Sequence, residues 1–142
     1  TNTSVTLSSS ADQQINSLGV GTAASGTAGE IRATGDITSG YSDDKLKNRL
    51  GNIENALDKV SQLAGFYYRP NDLAKTLGYN DNVQVGVSAQ QVQQVLPEVV
   101  VEKSDGLLTV KYEKLVSVLI ESVKTLSNRV DELQSKLDKL DV

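Results

Sequence analysis

VSVLIESVKTLSNRVDELQSKLDKL, residues 116–140, carries the longest regular pattern in the chain. Val116, Leu119, Val123, Leu126, Val130, Leu133, Leu137 and Leu140 follow one another at steps of three and four throughout. That spacing draws one apolar stripe along a helix, and a period of 3.5 held over several heptads marks a coiled coil, not a lone surface helix. With Val116 at position a, the a positions read Val, Val, Val, Leu and every d position is Leu. Ile120 at an e position widens the apolar face near the start, which suits more than two strands. Valine at a with leucine at d leans toward dimers in isolated peptides. At the tip, Lys136 at g can reach Asp141 at e of a neighbouring helix. The pattern argues for self-association and leaves its order open.

Working back from this helix, Leu107-Leu108-Thr109-Val110 and Val99-Val100-Val101-Glu102 flank Ser104-Asp105-Gly106, the signature of a β-hairpin. Ser88 precedes a helix predicted from Ala89 to Leu96 and closed by Pro97. Val83 to Val87 alternates as a short strand. Residues 71–82 form a polar insertion with room for one helical turn. Phe66-Tyr67-Tyr68-Arg69 reads as a strand stopped by Pro70. Leu46, Leu50, Ile53, Leu57, Val60 and Ala64 again step by three and four, predicting a helix over about 43–64 ended by Gly65. Ser42 stands where its N-cap belongs, and Asp43 and Asp44 suit its first turn.

The character of the chain changes at Gly40-Tyr41-Ser42-Asp43-Asp44-Lys45-Leu46-Lys47. Residues 1–41 hold fourteen Ser or Thr, six Gly and five Ala but only four charged residues. Such a segment buries too little apolar surface to fold alone. It is either a flexible linker or the end of an elongated β structure whose core several copies supply. Gly29 to Gly40, with short β-prone runs between glycines, supports the second.

Composition excludes several functions. The net charge of −4 and pI near 4.8 argue against a nucleic-acid partner. The chain has no cysteine and no histidine. That removes disulfides, thiolate chemistry, the commonest zinc ligand and the Ser-His-Asp triad together. No metal constellation or phosphate loop appears, so no cofactor is expected. No apolar run reaches the roughly 18 residues that a membrane-spanning helix needs, so no membrane partner is expected either. What remains for catalysis is Ser42, five residues ahead of Lys47.

Five blocks together resemble a known family: Ser42-Asp43-Asp44-Lys45-Leu46-Lys47; Asn55-Ala56-Leu57; Gly86-Val87-Ser88-Ala89-Gln90-Gln91-Val92 through Val95-Leu96-Pro97-Glu98; Asp105-Gly106-Leu107-Leu108-Thr109-Val110-Lys111-Tyr112; and Leu115-Val116. In order and spacing they are similar to the S74 peptidase family, the C-terminal intramolecular chaperone domain of phage endosialidases, tailspikes and tail fibres. Lys45 stands where that family often has arginine, and Gln91 where it often has glutamate.

The resemblance implies an α+β fold: a small mixed helix/strand base with a long C-terminal helix forming a parallel trimeric coiled coil, preceded by a β-rich fibre end. Residues 1–41 would end the upstream fibre or spike. Residues 42–142 would be the auto-processing chaperone, with its coiled-coil helix over 112–142. The implied partners are two further copies and the upstream segment of the same chain. The implied activity is a single self-cleavage between Tyr41 and Ser42, with Ser42 as nucleophile and Lys47 as its base. Such a protein belongs to a virion tail fibre or spike precursor, made and processed in the host cytoplasm. The alternative is a trimerisation and folding module that stays attached.

The chemistry is sound on its own terms. Ser42 Oγ is adjacent to the Tyr41 carbonyl, so attack closes a five-membered ring and exchanges amide for ester. Without histidine a lysine is the natural base, given burial that favours its neutral form. Five residues do not share a face of an ideal helix. Ser42 must therefore be non-helical to meet Lys47, or a second chain must supply the lysine. Backbone amides opening the first helix are candidates for an oxyanion hole.

Overall fold

The computed structural model describes residues 15–38 and 40–140, which divide into two units at Asn48/Arg49. Asp141, half of the expected pair with Lys136, lies outside the described residues, as do residues 1–14 of the expected fibre end.

The first unit is a β rung. Strands β1 (Ser17–Val20) and β2 (Glu30–Ala33) pair in parallel, Leu18 opposite Ile31. Parallel neighbours usually need about a dozen connecting residues; here residues 21–29 suffice because the chain doubles back tightly. A side chain at Gly19 would collide with the Thr22 carbonyl oxygen, and Gly21 has φ +70°, so small residues permit the bend. The Gly29 amide donates to Asn16 O and the Thr34 amide to Val20 O, extending the ladder at both ends. No described residue of 15–48 is buried. The strand at β2 matches the expectation for Gly29 to Gly40; β1 carried no alternation to announce it.

The second unit is a mixed helix/strand base carrying a long C-terminal helix. In chain order it runs α1 (Ala56–Ser61), β3 (Gly65–Tyr68), α2 (Asp72–Thr76), β4 (Gln84–Val87), α3 (Ala89–Val95), a 3-10 turn (Pro97–Val99), β5 (Val100–Glu102), β6 (Leu108–Val110) and α4 (Tyr112–Leu140). β3 pairs antiparallel with β4, and β5 with β6. Ser88 caps α3 by accepting from the Gln91 amide, and the β5–β6 turn is closed by Asp105 Oδ1 accepting from Leu107 N with Gly106 at φ +78°. These elements agree with the sequence reading.

The core is small: Ala56, Val92, Leu96, Val99 and Val118, flanked by half-buried Ile53, Val60, Leu63, Val87 and Leu115. It forms where α1 lies along the first half of α4. Val118 and Ser122 are buried there, and the Ser122 hydroxyl donates to Val118 O at 2.8 Å, which satisfies that buried hydroxyl. Farther along, Arg129 approaches Asp58 of α1 at 3.8 Å.

The continuous helix expected over 43–64 is not there. A 3-10 turn at Asp44–Leu46 and α1 at Ala56–Ser61 are separated by residues 47–55 without helix. Gly51 has φ +148° and Asn55 sits in the left-handed region at φ 52°, ψ 34°. Both residues favour such backbone and both break the stripe. Leu50 is consequently 100% exposed. Gly65 does not end the helix, which stops at Ser61; it opens β3 instead.

Candidate active site at Ser42 and Lys47

The local backbone explains how residues five apart meet. Asp43 is extended (φ −64°, ψ 130°) and its Oδ1 accepts from Lys45 N at 2.8 Å. That Asx-type cap starts the 3-10 turn, whose bonds run from Leu46 N to Asp43 O and from Lys47 N to Asp44 O, both 3.1 Å. Lys47 then returns to extended backbone (φ −124°, ψ 134°). The chain reverses over one tight turn, and the Lys47 side chain reaches back across it.

Lys47 Nζ donates to Ser42 O at 2.6 Å and lies 3.2 Å from Ser42 Oγ. The cap expected of Ser42 is therefore supplied by Asp43, which leaves the Ser42 hydroxyl facing the amine. In both contacts Nζ is the donor, so the amine bridges the Ser42 carbonyl and the Ser42 hydroxyl. A serine hydroxyl, a lysine amine and a backbone carbonyl that holds the amine thus meet within one chain. The contact with the Ser42 carbonyl was not foreseen from the sequence, because a backbone group leaves no residue-type signal.

Ser42 and Lys47 are both exposed, and Tyr41 beside them is 69% exposed. The amides of Lys45, Leu46 and Lys47 are already engaged within the turn, so they do not form the expected oxyanion hole. No group of three acidic residues able to hold a metal occurs among the described residues.

The other predicted set lies on α4. Val116, Leu119, Val123, Leu126, Val130, Leu133, Leu137 and Leu140 are all exposed, as is Ile120. The face that packs on α1 carries Leu115, Val118 and Ser122, positions g and c of the same heptads. In its first half the helix thus has one face packed on α1 and, next to it, an exposed apolar stripe.

Residues 42–101 match the family model of peptidase S74, the chaperone of endosialidase, and the match begins at the serine that Lys47 contacts. Residues 42–101 belong to that family. In the S74 segment Gly86 and Val87 have a structural reason: Gly86 is buried against the Tyr112 hydroxyl, which accepts from Val87 N. The chain is also 46% identical over 101 residues to the long tail fibre protein Gp37 of Enterobacteria phage K3, covering 68% of this chain and 8% of that protein. The same identity and length hold for the Gp37 of Enterobacteria phage T2, of which 7% is covered. The chain spans less than a tenth of either relative, and all of α4 lies beyond the S74 match.

Proposed function

We propose that this chain is the intramolecular chaperone of a phage tail fibre or spike, that it trimerises through α4, and that it releases itself by cutting between Tyr41 and Ser42. The observation that carries the cleavage is the Lys47–Ser42 contact at the first residue of the S74 match. Lys47 acts as the base that takes the Oγ proton as Oγ attacks the Tyr41 carbonyl carbon. The tetrahedral intermediate collapses with loss of the Ser42 nitrogen, which receives that proton from Lys47. The product is an ester of Tyr41 on Ser42 and a free Ser42 amine. Water then hydrolyses the ester, leaving a Tyr41 carboxylate and the Ser42 hydroxyl. Each chain does this once.

The chaperone role follows from the exposed stripe of α4. Three chains joined in parallel by a fast-forming coil start a slow, non-local β assembly in register. Cutting removes the coil once its work is done, and what remains is held by kinetic stability. The host cytoplasm is the place of synthesis and processing in this reading.

A second reading, a trimerising module that stays attached, is favoured by one observation. Both members of the pair are exposed, whereas a base lysine is usually obtained by desolvation. Assembly that covers the site reconciles the two readings and makes cutting report correct assembly. The parent chain, Ser42→Ala and Lys47→Ala, weighed intact by mass spectrometry, separate them: only the parent should split, and only when oligomeric.

A further inference from the structure

An apolar cavity of ≈220 Å³ opens at the root of α4, walled by Val60 and Leu63 of α1, Val87 of β4, Leu96, and Leu115 and Leu119 of α4. No charged or hydrogen-bonding side chain lines it. It sits where the two faces of α4 meet, since Leu115 (g) belongs to the face turned to α1 and Leu119 (d) to the exposed stripe. The cavity is therefore continuous with the surface that the coiled coil would use.

The heptad register identifies what faces it. In a parallel coil, a g side chain lies against the e side chain five residues farther along the neighbouring helix. Leu115 pairs in this way with Ile120, Ser122 with Ser127, and Arg129 with Gln134. Only the first of these pairs is apolar on both sides, and it falls at the cavity. Ile120 itself is 53% exposed.

We infer that Ile120 of a second copy of this chain enters the cavity over Leu115 and Leu119, so that each base has its core completed by a neighbour's helix. This rests on the coiled-coil reading of α4. The five buried apolar residues make a small core for residues 49–140, and small cores commonly gain stability from association. The cavity walls come from α1, β4 and α4 and adjoin α3, so the contact ties assembly to the whole base and not to the coil alone. Melting of the base then depends on protein concentration.

The chain has no cysteine, which makes the seat directly testable by cross-linking. Within one helix, Cα atoms five residues apart are separated by about 8–9 Å, beyond the roughly 7 Å reach of a disulfide. In the full chain carrying Leu115→Cys and Ile120→Cys, mild oxidation should therefore give only links between copies. The expected result on a non-reducing gel is a covalent species of the mass that the parent shows in native mass spectrometry. An oligomeric parent whose Cys pair links no better than Ser117→Cys with Lys124→Cys, both on the outer b positions, overturns the inference while leaving the coil intact. A parent that is monomeric at every concentration overturns the coil reading and the inference with it. Ile120→Ala guards against misfolding of the double variant, because Ile120 is exposed in the single chain. It should weaken association at least about tenfold, with Ser127→Ala unchanged; association as tight as the parent's overturns the inference.

Discussion

The Tyr112 hydroxyl accepts the Val87 amide at 3.2 Å and stands directly over Gly86. This one contact joins the first residue of α4 to strand β4, twenty-five positions earlier in the chain. A Cβ on Gly86 would lie 2.8 Å from that hydroxyl and 3.2 Å from Tyr68 Cε1. Two aromatic rings thus require glycine there, for space and not for backbone conformation.

Gly86→Ala should destabilise the second unit by about 1–3 kcal/mol through overpacking. Tyr112→Phe, which removes the acceptor from Val87 N, should cost about 1 kcal/mol. Because both act on one contact, the double variant should lose less than the sum. Denaturant midpoints of the three variants check this.

The Asp43 carboxylate starts the turn that brings Lys47 back to Ser42. Asp43→Ala should slow self-cleavage about fivefold, as expected for loss of a cap worth about 1 kcal/mol. Asp43→Asn keeps an acceptor at the same place and should retain most of the rate. Timed mass spectra of the freshly folded chains measure both.

Charge placed on the open stripe of α4 should abolish assembly. Val123→Asp or Leu126→Asp should leave a monomer in native mass spectrometry that stays uncut while Ser42 and Lys47 are intact. Cutting by a clean monomer would contradict assembly-dependent cleavage.

Asp81 is held below the usual carboxylate range, first by its hydrogen bond with Lys75 and the charge of that lysine, then by Arg69. A depressed folded-state value means stability present above the unfolded value near 3.9 and lost as pH falls through the folded one. Exposure of all three side chains keeps the effect small. Amide exchange in α2 and its flanking loop, corrected for intrinsic rates, should be steady from pH 8 to about 5 and loosen only below about pH 4. Asp81→Asn should abolish that acid loosening.

Much of the second unit was legible from local signals. Ser88 eight residues ahead of Leu96-Pro97, Ser104-Asp105-Gly106 between two β-prone runs, and the helical spacing from Val116 each name their own element with little help from elsewhere. The helix over 43–64 failed because its apolar stripe masked Gly51 and Asn55, whose backbone preferences prevail where Leu46 and Leu50 stay largely exposed. The parallel rung of β1 and β2 was hidden by small polar residues without alternation. At the site, the pair Ser42 and Lys47 was visible as residue types, but not the way they meet. That required an extended residue on each side of a single 3-10 turn, with Asp43 and not Ser42 as its cap. The Tyr112–Val87 contact had no signal in one sequence, since it links distant positions.

The most direct test of the account is the mass of the folded parent chain beside Ser42→Ala, Lys47→Ala and Lys47→Arg. Arginine keeps the charge but does not give up its proton, so it cannot act as the base. The account predicts that the parent alone splits, between Tyr41 and Ser42, and that all three variants stay whole while still assembling. A parent that assembles and remains uncut, or a Lys47→Arg chain that cuts as fast as the parent, would contradict it.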